Sequence, residues 1–221
     1  MPETLTDQLS RARTSLLAEL AREVNDRRLL EAMAGVPRER FLPDELRPFA
    51  YENRPLPIGY GQTISQPLIV ALMTEALALT GSEKALEVGT GCGYQAALLG
   101  QLAATVVTVE RIPPLAQRAA QTLVDLGYVN ISVHVAGEEL GWPAEAPYDA
   151  ILVSAGAPEV PPSLVDQLAL GGRLVIPVGT RDLQELTRVV RTAEGPAATR
   201  LGPCRFVPLL GRGAWLGDLP S

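Results

Sequence analysis

The sequence predicts a doubly wound α/β fold with a helical extension ahead of it. Three observations carry that expectation. Ala85-Leu86-Glu87-Val88 is a short apolar run that ends in Gly89-Thr90-Gly91-Cys92-Gly93, with a helix-like apolar stretch at residues 96–99. Strand, glycine turn and helix in that order make the first unit of a Rossmann-like, nucleoside-binding sheet, because glycines let the backbone turn sharply and approach a ligand. Beyond the turn, apolar strand-like runs alternate with helical patterns, as a mainly parallel sheet requires. Before it, leucines recur at helical spacing.

The bulk composition narrows the field. The chain has 221 residues, 47% of them hydrophobic, enough for one sizeable core and a modest appendage. No apolar run approaches the ~20 residues of a membrane-spanning helix, so no membrane partner is expected. Met1-Pro2-Glu3-Thr4-Leu5 has no basic region leading into an apolar core. A secretory signal is therefore not expected, and a cytoplasmic location is. Nineteen basic against 25 acidic residues give a net charge of −6, which disfavours nucleic acid as a partner. Cys92 and Cys204 lie far apart, and His134 is the only histidine. Neither a metal site nor a histidine-based triad is suggested.

Taken in order, residues 5–24 place Leu5, Leu9, Leu16, Leu17, Leu20 and Val24 on one helical face. A second helix runs through Leu29, Leu30, Ala32 and Met33, capped by Asn25 or Asp26 and ended by Gly35 and Pro37. Prolines at 37, 43, 48, 55 and 57 favour turns, and residues 58–67 read as a polar, glycine-containing loop. A helix opens at about Ser65, has Pro67 in its first turn and runs to Gly81. Strands follow at 85–88, 105–110, 131–135 (near an edge, with His134 on its exposed side) and 148–154. Helices are expected at 113–126 and 164–170, and further strands at 173–178, 186–190 and 206–210, the last two joined by a Gly/Pro-rich segment. Two segments result: residues 1–57, a helical extension and lid segment, and 58–221, the cofactor-binding domain.

Two features bear on the ligand at the carboxyl ends of the strands. A dinucleotide fingerprint would put its third glycine at Tyr94, but here it comes one residue early, at Gly93. Glu87-x-Gly89-x-Gly91-x-Gly93 resembles instead the first motif of S-adenosylmethionine-dependent methyltransferases, whose cofactor needs no phosphate cradle. Glu110, about 20 residues on at a strand end, suits two ribose hydroxyls and would serve NAD as well.

The loop before the core points to a substrate. Ile58-Gly59-Tyr60-Gly61-Gln62-Thr63-Ile64-Ser65-Gln66-Pro67 resembles the signature of the protein-L-isoaspartate (D-aspartate) O-methyltransferase family. Val36-Pro37-Arg38-Glu39-Arg40-Phe41, the turn Glu87–Gln95 with Cys92 in place of the usual serine, Pro147-Tyr148-Asp149-Ala150-Ile151, Gln167-Leu168, Gly171-Gly172-Arg173-Leu174, Pro177-Val178-Gly179 and Phe206-Val207-Pro208-Leu209 extend the match over most of the chain. The chain departs from the family at Gly137-Glu138-Glu139, where Gly-Asp-Gly is usual. That departure keeps open another carboxylate acceptor, a small molecule or peptide natural product.

The resemblance implies methyl transfer from S-adenosylmethionine to the free α-carboxylate of L-isoaspartyl residues, and less well to D-aspartyl residues, in damaged proteins and peptides. The ester then closes to a succinimide that reopens partly to aspartate, which is repair. Ser65 is implied as the catalytic residue that holds the substrate carboxylate, with helix capping as its alternative role. Gln62, Thr63, Ile64, Glu87, Gly89, Thr90, Gly91, Gly93, Glu110, Glu138 (at the adenine end) and Gln184 (closing the far side) are implied cofactor contacts. A monomer without metal is expected.

Overall fold

The computed structural model describes residues 4–215; residues 1–3 and 216–221, the outer ends of the two expected segments, lie outside them. The extension opens with α1 (Leu5–Leu20), where the Thr4 hydroxyl accepts from the Asp7 N–H and Asp7 reaches back, a capping box. Asp26, rather than Asn25, caps α2 (Arg27–Gly35) by accepting from the Leu29 N–H at 3.1 Å. Leu16, Leu20, Val24, Leu29 and Met33 enter the same buried cluster as Ala85, Leu98 and Leu99 of the sheet layer. The extension is thus stabilised by burial against the sheet layer rather than by propensity alone.

The proline-rich stretch forms two 3-10 turns, at Arg38–Phe41 and Asp44–Phe49. The expected loop at 58–67 is instead mostly a hairpin, β1 (Leu56–Gly59) against β2 (Gln62–Ile64). Its two-residue turn has positive φ at both Tyr60 (55°) and Gly61 (70°), the pattern that matches strand twist in tight hairpins. Only Gly61 advertises that geometry, since tyrosine seldom adopts it. The next helix, α3 (Pro67–Ala76), begins with Pro67 in its first turn but ends five residues before Gly81.

Seven strands follow in one sheet, ordered β5 (Ile131–Val135), β4 (Thr105–Glu110), β3 (Lys84–Val88), β6 (Tyr148–Val153), β7 (Leu168–Gly179), β8 (Gln184–Thr192) and β9 (Gly195–Cys204). The first five are parallel and the last two antiparallel. The chain winds outward from β3 through β4 to β5, then returns to the other side of β3 with β6. That reversal leaves a crevice at the carboxyl ends of β3, β4 and β6. In register, Val88 faces Val109 on one side and Val153 on the other, so these three strand ends are level.

Alternation sorts the side chains of the central strands into two cores. Leu86, Val88, Val107, Val109, Ile151 and Val153 belong to one cluster, and Ala85, Val106, Ala150 and Leu152 to the other. Glu87 and Thr108 share the second face and are register partners. α4 (Tyr94–Leu102) and α5 (Pro113–Asp125) provide the first two crossovers.

Three expectations change in the last third. Residues 164–170 are not one helix: α6 (Pro162–Asp166) is a single short turn, and Leu168 already pairs with Tyr148 in β7. Gly172 explains the bend there, because a Cβ would lie 2.8 Å from the Ala169 carbonyl oxygen. The Gly/Pro-rich segment is itself the exposed edge strand β9, where prolines need no ladder partner. Residues 206–210 form bridges, not a ladder: Pro208 meets Gly156 and Leu210 meets Trp215. His134 does lie on an edge strand, yet it is half-buried, stacked on Trp142 with ring centroids 4.3 Å apart.

Candidate active site

A cavity opens where the topology predicts it. Glu87, Val88, Gly89, Thr90, Gly91 and Cys92 form its floor at the end of β3, and Val109, Glu110, Arg111 and Ile112 a wall at the end of β4. The hairpin and its exit, Gln62-Thr63-Ile64-Ser65, cover one side, and Val207-Pro208-Leu209-Leu210 another. Both β3–β4 and β3–β6 ladders extend into the floor, through Gly89 N–H to Val109 O at 2.9 Å and Ser154 N–H to Val88 O at 2.9 Å.

The glycine turn is shaped by its neighbours. Gly89 (φ 96°), Gly91 (φ 54°) and Gly93 (φ 94°) all hold backbone angles that side chains resist. A Cβ on Gly91 would meet Ile58 Cδ1 of the hairpin at 3.3 Å, and one on Gly93 would meet Ala119 of α5 at 3.3 Å. Gly89 and Gly91 line the cavity; Gly93 does not, and serves the turn and the packing of α4 on α5.

Two carboxyl groups at the strand ends, Glu87 and Glu110, face the cavity from unlike surroundings. Glu110 accepts from the Gly91 N–H at 2.8 Å with one oxygen and from the Ile112 N–H at 2.9 Å with the other. It therefore braces the turn while keeping lone pairs for a ligand's hydroxyls, since a carboxylate has about four acceptor positions. Glu87 is wholly buried. Its Oε2 accepts from the Thr108 hydroxyl at 2.6 Å, and Thr108 in turn accepts from Thr90 at 2.6 Å. Among the described residues its Oε1 has no hydrogen-bond partner. Burial pushes the Glu87 carboxyl up to about 8, against the Thr108 bond and with help from the Glu110 charge. Cys92 also lines the cavity, but burial pushes its thiol up to about 11, so it is no nucleophile at neutral pH.

Ser65 stands differently from its expected alternative role. The helix N-cap is Gln66, and the Leu68 N–H is taken by Asn53 Oδ1 at 3.1 Å. Ser65 is thus outside the cap. Among the described residues its hydroxyl makes no hydrogen bond, and only its carbonyl is engaged, by Arg38 at 2.7 Å. The hairpin is held at its other strand too, by Arg118 of α5 donating to the Ile58 carbonyl at 2.5 Å.

Comparison with known proteins gives this geometry a lineage. A family model for protein-L-isoaspartate(D-aspartate) O-methyltransferase matches residues 11–214. The chain belongs to the protein-L-isoaspartate(D-aspartate) O-methyltransferase family. It is 58% identical over 198 residues to "Protein-L-isoaspartate O-methyltransferase 1" of Syntrophobacter fumaroxidans, covering 90% of this chain and 92% of that one. A Rhodopseudomonas palustris protein-L-isoaspartate O-methyltransferase is 55% identical over 203 residues, covering 91% and 93%. Among solved structures, a protein-L-isoaspartate O-methyltransferase superposes with a TM-score of 0.81 at 28% identity, over 91% of this chain and 67% of that one. A Plasmodium falciparum structure of the same description, in complex with S-adenosyl-L-homocysteine, gives 0.74 at 27% identity over 87% and 95%.

Most of the residues expected for this family's site come together at the cavity; Gly93, Glu138 and Gln184 do not. Gln62, Thr63, Ile64, Ser65, Glu87, Gly89, Thr90, Gly91 and Glu110 all line the cavity. Glu138 points away instead, its exposed carboxylate 3.5 Å from Arg212, and Glu139 takes the place on the wall. The loop is fixed in this register by Gln167, which donates to Leu140 O at 2.9 Å and accepts from the Trp142 N–H at 2.9 Å. Gly141 must be glycine there, as its Cβ would fall 2.5 Å from Gln167 Oε1. Gln184 is likewise structural: it is buried beside Gly156, donates to the Thr180 carbonyl and accepts from the Phe206 N–H at 2.8 Å. Cys92, Tyr94, Gln95, Ser154 and Ala155 also line the cavity without having been singled out as ligand contacts. Their signal was positional: each lies in the turn or directly after a strand of the switch point.

Proposed function

We infer that this chain moves a methyl group from S-adenosylmethionine to the free α-carboxylate of L-isoaspartyl residues, and less well of D-aspartyl residues, in damaged proteins and peptides. One observation carries the inference. A member of the isoaspartate methyltransferase family brings Glu87 and the glycine turn to the floor of a cavity, Glu110 to one wall and an unbonded Ser65 hydroxyl to another. When bound, S-adenosylmethionine supplies a methyl group already activated by its own sulfonium charge.

The cavity fits that cofactor on its own chemistry. Glu87 Oε1 is a buried acceptor without a partner, suited to a cationic group such as an amino acid ammonium. Glu110, held by two backbone N–H groups, is suited to ribose hydroxyls. Tyr94 opens α4 as a buried ring, packed edge-on to Phe41 at 5.5 Å, where a pyrophosphate would need open backbone.

The acceptor needs holding, not activating. A carboxylate with pKa near ~4 is ionised at neutral pH, so no base has to be supplied. The cavity lining accordingly contains no histidine. Ser65 donates its hydroxyl to the substrate carboxylate, and the hairpin held by Arg38 and Arg118 keeps that donor in place. The remaining task is alignment, a matter of proximity and orientation. Arg38 of residues 1–57 thereby grips the lid loop, and Asn53 the first turn of α3, in the domain formed by 58–221. We further propose that the enzyme works as a cytoplasmic monomer and does not engage nucleic acid, in keeping with its net charge of −6.

Paired peptides carrying isoaspartate or aspartate at one position test the reaction. Labelled methyl should appear on the isoaspartyl peptide alone; equal labelling, or none, would overturn the inference. Ser65→Ala should lower turnover about 10- to 100-fold, the worth of one charge-assisted hydrogen bond, with little change in S-adenosylhomocysteine affinity. Wild-type turnover in that variant would remove Ser65 from the mechanism.

A further inference from the structure

We propose that Arg38 is a positioning residue for methyl transfer: its buried guanidinium ties the backbone of Ser65 to the first turn of α4 and so sets where the Ser65 hydroxyl meets the substrate. The proposal rests on Ser65 as the holder of the carboxylate.

Arg38 sits where arginine is costly. It is 0% exposed, and a charged group out of water needs full compensation. Its partners are few and uncharged. Nε donates to the Ala50 carbonyl at 2.8 Å, Nη2 donates to the Ser65 carbonyl at 2.7 Å, and the guanidinium lies 4.8 Å from the centre of the Tyr94 ring. Nη1 is buried and, among the described residues, meets no hydrogen-bond acceptor in good geometry; the Tyr94 side chain is the polar group that supports the guanidinium there. Buried ion pairs and charges are often replaced by apolar groups at no loss of stability, so this arrangement is a poor way to stabilise a core. It is a good way to fix a distance.

The two things it touches are the two walls that must be aligned. Ser65 and Tyr94 both line the cavity, one from the lid and one from the turn that follows Gly93. The guanidinium is planar and its donors form a rigid fork, so two carbonyls and a ring together leave it one orientation. Ala50, in the segment that closes the 3-10 turn Asp44–Phe49, anchors the fork from behind. Arg118 pins the lid at Ile58, before the hairpin turn, and among the described residues it bonds none of the hairpin beyond that turn. Arg38 pins it after the turn, at the residue that carries the hydroxyl. Because transfer depends on in-line placement, a shift of about 1 Å at Ser65 is enough to cost on the order of 100-fold in rate.

Two substitutions separate positioning from general support. Arg38→Met keeps the apolar bulk and removes both donors; Arg38→Lys keeps a charge and reaches one carbonyl at most. With an isoaspartyl peptide, kcat should fall about 10- to 100-fold in Arg38→Met and less in Arg38→Lys. S-adenosylhomocysteine affinity by calorimetry should stay within about threefold in both, which a merely structural brace would not predict. In a Ser65→Ala background, Arg38→Met should cost less than about twofold more, since both changes act on one contact. An unchanged kcat in Arg38→Lys and Arg38→Met overturns the proposal. So does a fully multiplicative loss in the double variant, or loss of S-adenosylhomocysteine binding in Arg38→Lys. If Arg38→Met fails to fold, Arg38→Lys decides alone. Normal turnover in Ser65→Ala by itself brings down the carboxylate reading first, and is distinguishable because it needs no change at Arg38.

Discussion

Glu110→Leu should weaken S-adenosylmethionine binding about 1,000-fold, the combined worth of two or three hydrogen bonds to a carboxylate. The side chain does two jobs at once. Its oxygens take the Gly91 and Ile112 N–H groups, and they face the cavity with acceptor capacity to spare. Leucine would leave both backbone donors without a partner beside a turn whose glycine already holds φ 54°. Each orphaned donor costs about 1–3 kcal/mol, so the variant should also unfold at a lower temperature. Glu110→Gln discriminates between the two jobs, because its amide can accept one backbone bond but not both. Isothermal titration with S-adenosylhomocysteine, beside thermal unfolding of the ligand-free protein, measures each loss separately. Unchanged affinity in Glu110→Leu would show that the end of β4 is not where the ligand's hydroxyls lie.

The legibility of Glu110 shows what a sequence can carry. It ends an apolar strand about 20 residues after a glycine turn, and both signals are local in the chain. Parallel central strands are buried on both faces and read as continuous apolar runs, which is why 85–88, 105–110 and 148–154 are legible as strands. The edge was harder. β9 is an exposed strand containing Pro196, Gly202 and Pro203, residues that elsewhere mark a loop. An edge tolerates them because only one side of the ladder must be paired. The hairpin β1–β2 was hidden by Tyr60, whose positive φ is imposed by the turn and not by its own preference.

The site was legible in the same uneven way. Gly89, Gly91, Glu87 and Glu110 reach the cavity because a turn or a strand end fixes them, and such positions are legible locally. Glu138 and Gln184 are assigned by family likeness, and both turn away toward partners distant in sequence: Arg212 for the first, and Phe206 for the second, which also bonds the nearby Thr180. Such partners have no local signature. Arg38 was visible as part of a motif, but its role appears only when Ala50, Ser65 and Tyr94 are seen around it.

Glu87 should couple cofactor binding to pH. Its carboxyl stands at about 8 in the ligand-free protein, raised from 4.5 by burial and further by the charge of Glu110. At pH 7 the folded protein therefore holds a proton there that the unfolded chain has released. The sign follows directly: stability falls as pH rises from about 4.5 toward 8 and then levels, since the folded state binds more protons across that window. With each pKa unit worth about 1.4 kcal/mol, the total is on the order of several kcal/mol. A cationic ligand group beside Oε1 favours the ionised form, so binding at pH 7 should release close to one proton. Affinity for S-adenosylmethionine should then rise up to about tenfold per pH unit below 8 and flatten above it. Glu87→Gln removes the titration while keeping an acceptor for the Thr108 hydroxyl. That variant should be more stable than the parent at pH 9 and should bind with an affinity that no longer follows pH. Calorimetry in two buffers of different ionisation enthalpy counts the proton directly, and a parent protein that releases none would place the cofactor's positive charge away from Glu87.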